Sequence, residues 1–465
     1  MTADDVTPVL AHVDTHLDES LDRLMGFLRI PSISTDPAFK ADCDRAADWL
    51  VDALADVGFD AAKHTTPGHP MVVAQDDEYD EGEALHILFY GHYDVQPVDP
   101  LNLWHRDPFD PALEVTPAGR VIRGRGAADD KGQLMTFIEA CRAWREVHGA
   151  LPLKVSMFFE GEEESGSPSL VPYLTAHAED LKADLALICD TGMFDPQTPA
   201  ITTALRGLAK LELVVTGPDK DLHSGSFGGA ARNPAHVLAK ILADLHDDDG
   251  AVTLEGFYDG VPELTNAQRA QWENLGFDAA GFLGGVGLSV PAGEKGRSVL
   301  EMVWSRPTCE VNGMTSGYTG AGFKTVLPSK ASAKVSFRLV GAQDPAAILK
   351  AFEAHVAARM PADCRFELLD TEGSPATTMP IDNPAFEAAR QALTDEWPRP
   401  AAFIGCGGSI PVAGHFQNIL GMDAMLIGFG NDDDQIHSPN EKYNLTAFHK
   451  GIRSWVRVID ALSRV

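Results

Sequence analysis

Two histidines and a group of acids recur at one kind of position in this chain, directly after short apolar runs. Gly91-His92-Tyr93-Asp94 follows LHILFY, and Glu160-Gly161-Glu162-Glu163-Glu164-Ser165-Gly166 follows LKVSMFF. Asp190 follows LALIC, and the loop after AMLIGF reaches Gln435-Ile436-His437-Ser438. A fifth group, RGRGAADDKG with Asp129 and Asp130, leads into a helical pattern at Gln133. Imidazole mixed with carboxylate suits zinc, manganese or cobalt better than calcium or magnesium. Carboxylates gathered this densely repel one another, and a pair of divalent ions offsets that repulsion if one carboxylate can bridge both. Taken singly, each segment has a plain explanation: a loop histidine, a solvated acidic turn, a helix N-cap at Asp129-Asp130. Four of the five lie at equivalent strand ends, where open α/β sheets bind ligands.

The elements that must position these residues are legible in the apolar pattern. Leu17, Leu21, Leu24 and Leu28 recur at helical spacing, and Pro31 closes that helix. A second helix is expected over Arg45–Val57, stopped by Gly58. Leu85–Tyr90, Leu153–Phe159, Leu185–Cys189 and Ala424–Phe429 read as strands buried on both faces. Helical patterns between them, clearest over Gln133–Val147, imply an α/β layer. From Arg206 the strands alternate instead, as in LAKLELVVTG, KASAKVSFRLV and CRFELLD, which implies a sheet with one wet face. Helices are expected near Pro234–Leu245 and Gln268–Leu275, and Gly276–Gly296 reads as a long surface loop. The expected fold is an α/β domain, a mixed, mostly parallel sheet covered by helices, with a smaller α+β unit inserted. The boundaries are 1–205 with 379–465 for the first domain and 206–378 for the second.

Composition narrows the function classes. Over 465 residues, 37 basic against 68 acidic side chains give a net charge of −31. Such a chain has no general basic surface for nucleic acid and is repelled by anionic membranes. Its six cysteines are scattered, which reads as free thiols in a reducing compartment. The start, MTADDVTPVL, lacks a basic region before an apolar core, and no long apolar run suggests a membrane span. A cytoplasmic protein is expected.

With those residues in view, GHYDVQP, GRGAADDKG, EGEEESGS and HSPNEK together resemble the M20 family of dinuclear metallopeptidases. DLHSGSFGG, KTVLP, FRLV and GGSIPV draw the likeness toward its cytosolic nonspecific dipeptidase and carnosinase branch. The likeness runs from about His92 to Glu441 with the motifs in family order. It implies two divalent ions per subunit, zinc expected first, with manganese or cobalt as alternatives. His92 and Asp190 would hold one ion, Glu164 and His437 the other, and Asp129 would bridge them. Glu163 would be the general base, acting on a water between the ions, and Asp94 would hold the His92 imidazole, as carboxylates behind metal-bound histidines do. The bond Asp129-Asp130 is expected to be cis.

The same likeness implies a homodimer formed through the inserted lid, with His223 of one subunit donating to the oxyanion in the other. Thr325 and Ser409 match substrate-contacting positions. Arg338 is the candidate clamp for a substrate carboxylate, since guanidinium pairs with carboxylate bidentately; a solvent-facing strand arginine is the plain alternative. Two features depart from the branch. Gly405-Cys406 stands where an Arg-Glu pair is usual, and Glu162 replaces an apolar residue, adding an acid beside the base. The expected reaction is hydrolysis of dipeptides or other small peptides with a free C-terminal carboxylate. N-acyl amino acid deacylation and single-residue carboxypeptidase action on the same scaffold are the alternatives. A noncatalytic binding protein is more remote, because Glu163 and all five ligands are present.

Overall fold

The computed structural model describes residues 6–76, 85–117 and 119–465, so residues 1–5 of the expected first domain lie outside it. Its strands in chain order are β1 (Asp60–His64), β2 (Met71–Gln75), β3 (His86–His92), β4 (Ala112–Thr116), β5 (Gly119–Arg123), β6 (Lys154–Glu160), β7 (Leu185–Ile188), β8 (Ala200–Leu205), β9 (Gly207–Thr216), β10 (Leu222–His223), β11 (Thr308–Ser316), β12 (Val326–Leu327), β13 (Lys330–Leu339), β14 (Arg365–Ser374), β15 (Thr377–Thr378), β16 (Ala402–Cys406), β17 (Asp423–Leu426) and β18 (Lys442–Asn444). Two compact units emerge. One comprises Met1–Thr203, Met379–Ile404 and His415–Val465, the other Ala204–Thr378 and Gly405–Gly414.

The first unit is built on a mixed sheet ordered β1-β2-β6-β3-β7-β17-β8. Its centre, β6-β3-β7-β17, is parallel throughout. These are the four strands expected from continuous apolar runs. The register sets His92 opposite Glu160, so β3 and β6 end level with each other. The Phe89 ring of β3 stacks on Phe137 at 3.9 Å, and Trp455 meets both edge-on at 5.7 and 5.3 Å. Phe137 belongs to the helix Lys131–His148 and Trp455 to the helix Leu445–Leu462. Aromatic burial of this kind stabilises by roughly 1.5–3 kcal/mol per side chain, and it packs both helices on the sheet behind the strand ends. A small antiparallel sheet, β18-β5-β4, accompanies it.

Two expected elements begin or resolve differently. The helix expected from Arg45 starts at Lys40, after a short turn at Pro37–Phe39 where the Asp36 carboxylate accepts the Ala38 N–H at 2.9 Å. It ends at Gly58, whose φ of 100° is a left-handed conformation that favours glycine. The expected loop over 276–296 contains a helix, Ala279–Gly284, because Asp278 caps it by accepting the Gly281 N–H at 2.9 Å.

In the second unit β11-β13-β9-β14 form an antiparallel sheet. Ala209, Leu211, Leu213 and Val215 alternate into its core with Val335, Phe337, Ile348 and Phe352. The helices Pro234–Ala243 and Pro345–Arg359 cover that face. The last residues of β8, 204–205, pair with β15 in the same unit. Gly405–Gly414 also falls in this unit. The reason is local: Arg206 donates from its backbone N–H to Gly408 O at 3.0 Å and from Nε to Gly407 O at 2.9 Å. All six cysteines are free, and among the described residues no helix is long and apolar enough to cross a membrane.

Candidate metal centre

Five of the sequence-selected side chains converge at the carboxyl ends of the parallel strands in the first unit. His92 ends β3, and its side chain is fully buried. Its Nε2 lies 3.1 Å from Asp129 Oδ1 and 4.0 Å from Asp190 Oδ2. The other Asp129 oxygen, Oδ2, lies 2.9 Å from His437 Nε2, and His437 Nε2 lies 3.2 Å from Glu164 Oε2. Each oxygen of one carboxylate therefore faces a different imidazole. Potential ligand atoms of His92, Asp129 and Asp190 lie within 4.8 Å of one another, as do those of Asp129, Glu164 and His437.

The electrostatics test whether cations fit here. Burial, with the Asp190 and Asp94 charges adding to it, pushes the Glu163 carboxyl up to about 7. Burial and the Asp129 charge push Asp190 up to about 7 as well. Glu164 is raised by burial and the Asp129 charge. Hydrogen bonds to Asp129 and Glu164 lift His437 to about 10. For His92 burial works downward, but bonds to Asp129 and Asp94 outweigh it and raise the imidazole. Acids this close keep protons unless cations take their place, so the donor set fits divalent ions.

The supporting contacts differ in part from the expectation. Asp94 was expected to hold His92 through its carboxylate. The His92 Nδ1 sits 3.1 Å from the Asp94 backbone carbonyl and 3.4 Å from the carboxylate. The carboxylate accepts the backbone N–H groups of Glu163 at 3.2 Å and Glu164 at 3.0 Å. Asp94 thus ties the turn carrying Glu163 and Glu164 to the end of β3. Glu162 was expected beside the base. It is buried elsewhere, with its oxygens accepting the His69 N–H at 2.8 Å and the Ser169 N–H at 3.0 Å. A turn's acids cannot all face one way, and Glu162 faces the neighbouring loops.

Two side chains were missed by sequence reasoning although both lie inside quoted motifs. Gln96, in GHYDVQP, donates from Nε2 to Glu164 Oε2 at 2.7 Å. Asp130 stands at the N-cap of the helix Lys131–His148 without capping it; its Oδ2 accepts the His92 N–H at 3.1 Å. The signal was adjacency to a candidate ligand, which spacing alone does not rank. The Asp129-Asp130 peptide is cis, and His437, Gln435 and Asn440 have φ of 61°, 59° and 67°. Three left-handed non-glycine residues in one short loop are uncommon and concentrate where function constrains the backbone.

The remaining sequence-selected residues belong to the second unit. His223 and Val326 pair across β10 and β12, and Ser224 donates its N–H to Thr325 O at 3.1 Å, so His223 and Thr325 stand side by side. His223 is exposed, and its Nδ1 accepts the Gly225 N–H at 3.0 Å. A neutral ring with that acceptor carries its proton on Nε2. Arg338 on β13 lines a cavity of about 480 Å³ together with Arg206, Glu310 and Ser336. Ser409 is half-buried in the turn whose carbonyls Arg206 grips.

Comparison with known proteins is consistent with this geometry. The family model described as peptidase family M20/M25/M40 matches residues 88–461. The chain is 31% identical over 468 residues to the Cys-Gly metallodipeptidase dug1 of Schizosaccharomyces pombe, covering 97% of each. The crystal structure of human carnosine dipeptidase 1 matches with a TM-score of 0.80 and 27% identity over 99% of both chains. A metallo-carboxypeptidase of the same family from Sulfolobus solfataricus, Sso-CP2, matches with a TM-score of 0.81 and 31% identity, over 96% of this chain and 100% of that one.

Proposed function

We propose, from the premise that this chain belongs to peptidase family M20/M25/M40 and is a metallopeptidase, that it hydrolyses the amide bond of dipeptides ending in a free carboxylate. The carrying observation is the Asp129 carboxylate standing between His92 and His437. His92, Asp129 and Asp190 would hold one divalent ion, and Asp129, Glu164 and His437 the other. Zinc is the ion proposed, with manganese or cobalt able to use the same donors. Bound there, the ions supply an acidified water and a polarised scissile carbonyl.

Glu163 takes the proton of the attacking water and returns it to the leaving amine, as base and then acid. Asp94 keeps that turn in place through the Glu163 and Glu164 N–H groups. The oxyanion that forms on the former carbonyl oxygen when water adds to the carbon needs a donor, and His223 offers Nε2–H. Arg338 pairs with the substrate carboxylate, while Thr325 and Ser409 contact the substrate. The second unit joins two copies into a homodimer, so that His223 serves the partner's reaction. Six free cysteines support a reducing, cytoplasmic location. A second reading, removal of single C-terminal residues from longer peptides, is favoured by the 31% identity to Sso-CP2.

Glu163→Gln tests the assignment of the base. Turnover of a dipeptide panel is expected to fall by at least about 100-fold, with metal content by mass spectrometry unchanged. Turnover within about tenfold of the parent would remove Glu163 from the chemistry.

A further inference from the structure

The HSPNEK segment carries a second acid besides the histidine ligand. Glu441 lies four residues after His437 and just before β18, and it is fully buried. Its Oε1 accepts the Ala128 N–H at 2.9 Å and the Asp129 N–H at 3.1 Å. Its Oε2 accepts the Gly126 N–H at 3.0 Å and a guanidinium N–H of Arg125 at 2.8 Å. The Glu441 backbone carbonyl also accepts the Gly124 N–H at 3.1 Å. One carboxylate thus gathers four donors from residues 125–129. Arg125 is itself buried, donates to Pro97 O at 2.9 Å and lies over the Trp104 ring.

We propose that Glu441 is the positioning residue of the metal centre: a buried strap that sets the Asp129 backbone so that its carboxylate stands between His92 and His437. This rests on the proposed metal-dependent function. The ladder between β18 and β5, with Lys442 opposite Arg123, brings the His437 loop beside the 124–129 loop. Glu441 then converts that proximity into a fixed orientation. A carboxylate suits the role because both of its oxygens accept, so all four donors are met, whereas an amide presents one acceptor and one donor. The nearby Arg125 guanidinium balances the buried charge.

Glu441→Gln keeps the shape and loses the charge. Zinc affinity of the folded protein, read by competition with a chelating indicator well below the melting temperature, is expected to fall about 10–100-fold, as for partners behind metal ligands. Excess zinc is expected to restore kcat with KM unchanged. Unaltered zinc affinity in a folded Glu441→Gln protein, whatever its melting temperature, would reduce Glu441 to a structural acid and overturn the proposal. If that variant does not fold, Arg125→Lys decides, since it keeps the cation but loses the planar guanidinium that reaches Glu441 and Pro97 O together. Weaker zinc binding supports the strap, and parental binding overturns it. Parental protein that binds no zinc would instead defeat the functional reading.

Discussion

At the scale of single residues, the account turns on protons and cations competing for the same oxygens. Glu163 and Asp190 sit near 7, and burial lifts Glu160 to about 8. Their unfolded values lie near 4. His437 sits at about 10 against an unfolded value near 6.5. A group with a raised folded value holds its proton more tightly when folded. Its contribution to stability is complete below the unfolded value and is lost as pH rises through the folded value. Metal-free protein is therefore expected to lose stability between about pH 4 and about pH 8 through the acids, and on to about pH 10 through His437. Bound zinc would take the place of the protons on Asp190 and His437, so the gap in melting temperature between zinc-loaded and chelator-treated protein should widen over that interval. Calorimetry showing a constant or narrowing gap would contradict the assignment of these acids. The convergence of the five candidate ligands was legible in the sequence, because imidazole and carboxylate types after strand ends are a chemical signal. The direction of a side chain within a turn was not. Asp94 keeps its carboxylate 3.4 Å from His92 Nδ1 as expected but also receives the Glu163 and Glu164 N–H groups, and Glu162 turned away to His69 and Ser169.

At the scale of elements, the four central strands were legible because parallel strands covered on both faces read as unbroken apolar runs. The edges were not. β1 has no buried residue, and β4, β5 and β18 are short and form a separate small sheet. The helix Pro345–Arg359 escaped notice although Asp344 accepts the Ala346 N–H at 3.0 Å and Pro345 opens it. Its alanines blur the stripe formed by Ile348, Phe352 and Val356. The ligand-bearing loops, by contrast, are tied to one another by side chains that no periodicity reveals. Glu162 joins its turn to residue 69 and to the start of the helix Leu170–Ala176 at Ser169. Glu162→Leu strands two buried N–H groups and is expected to cost on the order of 3 kcal/mol in urea unfolding. With metal bound, kcat should stay within about threefold of the parent, because Glu162 touches neither ligand nor base. A large kcat loss without a stability change would return Glu162 to the catalytic turn.

At the scale of the whole molecule, the net charge of −31 and the proposed dimer bear on assembly. A histidine serving the partner's centre makes activity a property of pairs. His223→Ala and Glu163→Gln proteins are each expected to be nearly inactive. Mixed and allowed to exchange subunits, half of the dimers would carry one intact centre, restoring about a quarter of parental activity by random pairing. Mixtures that remain as inactive as their components would place His223 with the centre of its own chain or outside the reaction.

Anomalous diffraction at the zinc edge from crystals of the zinc-loaded protein tests the central claim most directly. The account predicts two peaks about 3.5–4 Å apart, one beside His92 and Asp190, the other beside Glu164 and His437, with the Asp129 carboxylate between them. A single peak, or peaks away from Asp129, would contradict it.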